Sequence, residues 1–435
     1  MLQKYFDFKT LNTNYRTEII AGLTTFLTMA YVIVVYPAML NSVGVNGKAI
    51  FVATCLAAAF GSILMGVISN YPIALAPSMS LGGYFVYSVI SQYGIPWPQA
   101  LGATFIAGCL FFLLTVSGIR QQVITTLPNA IKIGMSAGIG LFLGAIACKN
   151  IGIIHLTSHI VLTTHIVFSA DIFLCLLGLL LIALLDHFAV PGAILWGIIL
   201  ITICGIVLKL TPFLGIFSLP PSMADSFLAL QLPQLHTLKI FTIIFTFVFV
   251  AFFDNTGTLI GILQQAKLIA PDGKAANLKR AFFADSIATM VGSCLGTSSV
   301  GSYIESAAGT RAGGRTGLTA IVVGLLFLLA LFLAPLASSI PVYATAAALL
   351  YIALLMLRLL FTMDWRIYSE FIPAVITACA IPFTFSIVDG IGLGLVCYLL
   401  INLITRNFSK INLALIILTS IFIAYLLFNM LNIGE

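Results

Sequence analysis

The chain has 435 residues, of which 61% are hydrophobic and 7% charged, with a formal net charge of +6. Soluble domains carry about 25% charged residues, so a water-exposed globular surface is excluded, and the positive balance needs no nucleic acid, because basic residues gather at the cytoplasmic ends of membrane spans. The apolar residues fall in long runs such as Ile19–Tyr36, Ala49–Val67, Leu101–Val116 and Leu318–Leu333, and about 20 apolar residues cross a bilayer core of about 30 Å as a helix.

Met1–Arg16 is polar and lacks a small-residue cleavage site, so it reads as a cytoplasmic amino terminus (1–16) and not as a signal peptide. Spans are predicted at 17–37, 49–68, 71–90, 98–118, 128–148, 168–185, 190–209, 238–265, 280–297, 298–310, 316–335, 341–361, 366–388 and 389–405. Residues 366–405 count as two, because one helix of that length would be about 60 Å long, twice the core. Asp389-Gly390 supplies the expected turn. The map gives a seven-span repeat at 17–209, a Pro-rich periplasmic connection at 210–237, a second repeat at 238–405 and a terminal segment at 406–435. Within the last, 411–430 is apolar and extra to fourteen spans, and its crossing is left open. With the amino terminus inside, fifteen of the nineteen Lys and Arg fall on the cytoplasmic side, leaving Lys48, Lys149, Lys209 and Lys239 outside. A cysteine placed at Gly273 is therefore expected to resist membrane-impermeant thiol reagents in intact cells. Labelling there from outside would reverse the orientation.

Two spans are wrong for an ordinary helix. Pro72 and Pro77 lack amide protons and bias the residues before them away from helix, so 71–79 should be extended, with a helix starting near Ser80. Residues 296–309 are too few and too polar for a plain crossing. These are the third and tenth spans, and each is the third of its half. Broken segments at corresponding positions of two halves point to a transporter binding site, and an odd repeat length makes the halves inverted.

Few acids can lie at depth, where a charge costs at least about 2.5–3.5 kcal/mol. Asp254 falls near the middle of the eighth span and Glu305 within the broken tenth. The plainer readings are a helix–helix hydrogen bond for Asp254 and an ion pair with Arg311 or Arg315 for Glu305. Asp285, near the surface, is expected to pair with Arg280 or Lys132. His155, His159 and His165 share the 149–167 loop, and His187 and His236 sit at span ends, so all five read as interfacial. The eight cysteines lie mostly inside apolar runs with no CxxC spacing, so neither a disulfide framework nor a metal site is expected. Gly309–Gly317 lacks the Gly-Lys-[Ser/Thr] ending of a phosphate loop and reads as a cytoplasmic turn. Of Tyr84, Phe85, Phe252, Phe253 and Tyr303, one or two could stack on a flat ligand.

Three stretches resemble a known family: Arg16-Thr-Glu-Ile-Ile-Ala-Gly-Leu-Thr-Thr-Phe-Leu-Thr-Met-Ala-Tyr31, Phe253-Asp-Asn-Thr-Gly-Thr-Leu259 and Tyr303-Ile-Glu-Ser-Ala-Ala-Gly-Thr-Arg-Ala-Gly-Gly-Arg-Thr-Gly-Leu-Thr319. Almost the whole chain is similar to the adenine/guanine/hypoxanthine permease (AzgA-like) branch of the nucleobase–cation symporters. The resemblance implies an all-α polytopic membrane protein with the uracil/xanthine transporter fold, fourteen spans in two inverted sevens. It implies a core domain of about 17–118 and 238–335 and a gate domain of about 128–209 and 341–405. It puts the family's two acids on Asp254 and Glu305, and Thr258 where uracil transporters carry a histidine. One motif departs. The family's Ala-Pro-Gly-Met-Gly-Leu-Asn-Ala-Tyr-Phe is here Ala76-Pro-Ser-Met-Ser-Leu-Gly-Gly-Tyr-Phe85, so Ser78 and Ser80 replace glycines and Gly82 replaces an asparagine.

The expected function is proton-coupled uptake of purine bases across a bacterial inner membrane by alternating access of core against gate. Asp254, Glu305, Thr258, Ser80, Tyr84, Phe253 and Tyr303 are the expected substrate-binding residues, with Asp254 and Glu305 coupling protons. Glu305 is expected to gather backbone amide hydrogen bonds and accept the purine's N–H edge, and Asp254 to carry the proton. No cofactor beyond the proton gradient, no metal and no nucleic acid partner is expected, and a homodimer is left open. An anion or carboxylate transporter of the same fold is the alternative, disfavoured because two acids repel an anion. A membrane enzyme lacks any catalytic constellation here.

Overall fold

A computed structural model describes residues 5–117, 128–157, 160–162, 169–233, 238–269, 275, 277–384, 387–411, 415–416, 418–420 and 422–423. His159, His165, His236, Gly273 and most of 411–430 lie outside them, as does the side chain of Phe253. Among the described residues the chain is helical with two short strand pairs. In order the helices are α1 (Tyr15–Met29), α2 (Val32–Asn41), α3 (Gly47–Ser69), α4 (Met79–Gly83, continued by a wider turn over Tyr84–Gln92), α5 (Trp97–Val116), α6 (Asn129–Asn150), α7 (Ala170–His187), α8 (Ala193–Val207), α9 (Leu238–Gln265), α10 (Leu278–Leu295), α11 (Ser306–Arg311), α12 (Gly317–Ala330), α13 (Ala334–Ser338), α14 (Val342–Leu357), α15 (Tyr368–Thr384) and α16 (Ile387–Ile404). Strands β1 (Leu75–Pro77) and β4 (Val300–Ser302) pair with each other, as do β2 (His155–Thr157) and β3 (Ile160–Leu162). Among the described residues eight helical stretches are long and apolar enough to cross a membrane, and three shorter ones are apolar.

Two compact units share the chain. One comprises Met1–Gly118, Asn150–Ile153 and Thr163–Ala348, the other Ile119–Lys149, Ile154–Leu162 and Leu349–Glu435. The first unit's core sits behind the β1–β4 pair, where Leu75 and Val300 meet Ala57 and Met65 of α3, Leu259 and Leu263 of α9, and Ala284 and Ala288 of α10. α3 crosses α12 closely, because neither Gly66 nor Gly317 carries a side chain and one at either position would strike the other's backbone. Such small-residue contacts let membrane helices approach where lipid offers no hydrophobic drive. In the second unit α6 packs on α15 in the same way, through Gly134 and Gly138 against Ala374 and Ala378.

The Asp389-Gly390 turn is not where the sequence put it. α15 ends at Thr384 and α16 begins at Ile387, so both residues lie in the first turn of α16. An acid there complements the helix dipole. Gly390 is instead a packing residue, since a side chain on it would run into Ile381.

Glu18 is fully buried. It ties α1 to the turn that precedes α12. Its carboxylate accepts from Thr13 Oγ1 (2.8 Å), the amides of Arg315 (3.0 Å) and Thr316 (3.3 Å), and Thr319 Oγ1 (2.6 Å). These donors include the free amides at the α12 amino end, which favour an anion. Glu18→Ala would leave them unpaired in the interior, at about 3 kcal/mol or more. Purified Glu18→Ala is expected to melt several degrees below the parent in detergent, with Glu18→Gln intermediate.

Candidate functional site

The two broken spans are joined to each other. β1 and β4 run antiparallel with Leu75 opposite Ser302, Ala76 opposite Gly301 and Pro77 opposite Val300. The ladder continues at both ends, with Ser78 N donating to Ser299 O (2.9 Å) and Tyr303 N to Ala74 O (3.1 Å). Pro72 and Pro77 keep this stretch out of helix, as expected, and each strand satisfies the other's backbone at a depth where water cannot. Pro77 has no N–H to give, but its carbonyl accepts the Tyr303 hydroxyl at 2.6 Å. Gly301 must be glycine, because a side chain there would strike the Asn255 carboxamide. At the end of β1, Ser78 caps α4 by accepting from Leu81 N at 3.4 Å.

Asp254 is brought to this junction by α9. Ser80 Oγ donates to its Oδ2 at 2.6 Å, and Ser78 Oγ lies 2.9 Å from Ser80 Oγ. Glu305 sits at the turn into α11, where Tyr31 donates its hydroxyl to Oε1 at 2.6 Å. Tyr303 is buried between them, within electrostatic range of both acids. No cation pairs with Asp254 or Glu305 among the described residues. The expected alternative of a Glu305 ion pair is therefore not what the structure shows. Arg315 spends its guanidinium on the carbonyls of Thr310 (2.7 Å) and Gly314 (2.9 Å). Nor does the Glu305 side chain gather several backbone amides, since the one it meets is its own. It occupies the cap position of α11 in a helical backbone conformation, φ −59° and ψ −21°, and makes no capping bond. A side chain folds back onto the first amides from an extended cap residue.

Thr258 lies one turn after Asp254 and is half-buried. Tyr84 is fully buried with its ring edge-on to Phe247 at 5.3 Å, and Phe252 stacks on Phe111 at 6.5 Å. Asp285 accepts from Asn255 Nδ2 at 3.0 and 3.2 Å. Sequence reasoning missed Tyr31 and Asn255. Tyr31 closes the first recognised stretch and Asn255 follows Asp254 directly, so position relative to the acids was the available signal.

Tyr36 accounts for Gly82. A Cβ on Gly82 would lie 2.7 Å from Tyr36 Cε2. The Tyr36 hydroxyl in turn accepts from Ser298 N at 2.6 Å. The ring thus fills the volume that a side chain at 82 would need. Gly82→Asn alone is expected to cut uptake several-fold by displacing Tyr36. Gly82→Asn with Tyr36→Ala should recover uptake and change the ranking of bases in competition assays. An unchanged ranking in the recovered double variant would remove position 82 from specificity.

Chemically, two partly buried carboxylates without a cation can hold a proton or accept N–H donors, and they oppose an anion. The family model described as "Permease family" matches residues 16–393. The chain is similar to the adenine permease AdeP of Escherichia coli, 41% identical over 98% of this chain and 96% of the relative. It is likewise similar to the guanine/hypoxanthine permease PbuG of Bacillus subtilis, 36% identical over 98% and 100%. Its fold matches the transmembrane domain of a cyanobacterial bicarbonate transporter, BicA, with a TM-score of 0.68 at 15% identity over 88% and 97%.

Proposed function

Since the chain belongs to the permease family, an inverted-repeat fold of multi-pass membrane proteins that are not enzymes, we propose that it imports purine nucleobases together with protons. The observation that carries this reading is the pair Asp254 and Glu305, each held by a hydroxyl at 2.6 Å, where the two broken spans meet. A purine is flat, mostly uncharged at neutral pH and rimmed with N–H donors and ring-nitrogen acceptors. A carboxylate suits the donors. The second acid takes up a proton, which lets a neutral base move with a charge that the membrane potential can drive. The names of the relatives, adenine on one side and guanine/hypoxanthine on the other, support a purine and divide on which one. The amino terminus is assigned to the cytoplasm and the protein to the cell membrane.

The bicarbonate transporter shares the fold, but bicarbonate is an anion that two uncompensated acids would repel. Uptake of labelled adenine, guanine, hypoxanthine and bicarbonate into cells lacking their own permeases separates the readings. Saturable purine uptake abolished by a protonophore is expected. Bicarbonate uptake without purine uptake would overturn the proposal.

A further inference from the structure

We infer that Ser78 and Ser80 form a two-hydroxyl positioning relay on Asp254, built into the strand junction, that holds the carboxylate in its ionised form and sets the pH at which it takes a proton. The inference rests on the proposal above that one of the two acids takes up a proton, and takes that acid to be Asp254. Its experiment needs no substrate, so it can fail or succeed independently of the identity of the cargo.

Direction comes from counting protons. A serine hydroxyl has one proton to give and two lone pairs, and an ionised carboxylate only accepts. Ser80 gives its proton to Asp254 Oδ2 at 2.6 Å. The 2.9 Å contact between Ser78 Oγ and Ser80 Oγ must then be made with the proton of Ser78. The second lone pair of Ser78 takes Leu81 N–H at 3.4 Å. With Asp254 ionised the chain therefore runs Ser78 to Ser80 to Asp254, and every donor in it is used. A protonated Asp254 becomes a donor itself. If it turns toward Ser80, the Ser80 proton must swing to Ser78, and the proton of Ser78 loses its acceptor within the relay. The ionised state is the one the pair satisfies.

The scaffold makes this arrangement rigid. The Ser78 amide is held by Ser299 O at 2.9 Å, and its carbonyl accepts Gly82 N at 2.8 Å. Both serines are almost wholly buried. Other ionisable groups do not replace the relay. On the elements packed against α9, Tyr303 interacts with Asp254 electrostatically, and Glu305 is held by Tyr31. Arg311 closes α11, Cys109 of α5 meets Met290, and Asp285 of α10 is held by Asn255.

The test is infrared titration of purified protein without ligand, following the C=O stretch of protonated Asp254, identified by its loss in Asp254→Asn. Removing a hydrogen bond to a charged group favours the neutral form. In Ser80→Ala the midpoint is expected to rise by about one pH unit. Ser80→Thr, which keeps the hydroxyl, should restore it, and Ser78→Ala should give a smaller rise. Melting curves of each variant establish that the fold is intact. A Ser80→Ala midpoint equal to the parent's, or no Asp254 band in either protein, would overturn the relay.

Discussion

Glu305→Gln is expected to abolish measurable binding of a purine base to the purified protein. One carboxylate oxygen, Oε1, is engaged by Tyr31 at 2.6 Å, and Tyr31 is itself buried. That leaves Oε2 as the acceptor offered to a ligand. Glutamine keeps the shape but replaces one oxygen with an NH2 donor. Its remaining oxygen follows the Tyr31 hydroxyl, so the NH2 turns toward the ligand's N–H edge. A charged acceptor becomes a donor facing a donor. The lost charge-assisted hydrogen bond is worth about 1.5–3 kcal/mol, and the unpaired buried donor costs about 1–3 kcal/mol more. Together they weaken binding by about a hundredfold or more, which takes a micromolar ligand out of reach of equilibrium dialysis. Tyr31→Phe removes only the supporting hydroxyl and should cost about tenfold. Labelled adenine, guanine and hypoxanthine bound to the purified variants, with melting curves as controls for folding, measure both. Glu305→Gln binding within tenfold of the parent would remove Glu305 from the ligand.

The fold was legible where residue types weigh together against an alternative. Pro37, Pro373 and Pro382 each sit inside a helix, but Pro72 and Pro77 fall within six residues and together disfavour one, so β1 and the start of α4 next to Ser80 could be read from composition alone. The density of small polar residues in 296–309 marked β4 and α11 in the same way. That these two stretches pair with each other was not legible, because pairing depends on partners more than two hundred residues apart. The position of Gly301 against Asn255 is visible only once the strands are joined. Local readings also misled. Asp-Gly is a turn signal, yet at 389–390 the acid serves a helix start and the glycine a helix contact.

The acids follow the same division. Asp254 and Glu305 stood out because charge is rare in apolar surroundings, while Glu18, which is more deeply buried than either, lies next to the polar amino terminus. Its four partners come from Thr13 and from the Arg315–Thr319 stretch. The hydroxyls that complete the site, on Tyr31, Ser78 and Ser80, are ordinary residues in sequence. They become specific only through distances of 2.6–2.9 Å that the broken spans create.

Asp254→Asn should separate binding from energy coupling. Asparagine is nearly isosteric, and its carbonyl can still accept the Ser80 hydroxyl that now meets Oδ2 at 2.6 Å. The junction between β1, α4 and α9 should therefore hold, and a purine should still be recognised through Glu305. What asparagine cannot do is take up and release a proton. A neutral base moving with one proton draws about 2.3 kcal/mol from a potential of 100 mV, enough for roughly fifty-fold accumulation. In Asp254→Asn that accumulation is expected to fall to equilibration, while exchange of labelled for unlabelled base across proteoliposomes persists. The pH dependence of uptake should flatten at the same time. Two acids that share one site titrate as a pair, so the roles could be exchanged between them. The pair of variants decides it. If Asp254→Asn keeps proton-driven accumulation while Glu305→Gln binds the base but no longer accumulates it, Glu305 is the proton carrier and Asp254 the acceptor for the ligand.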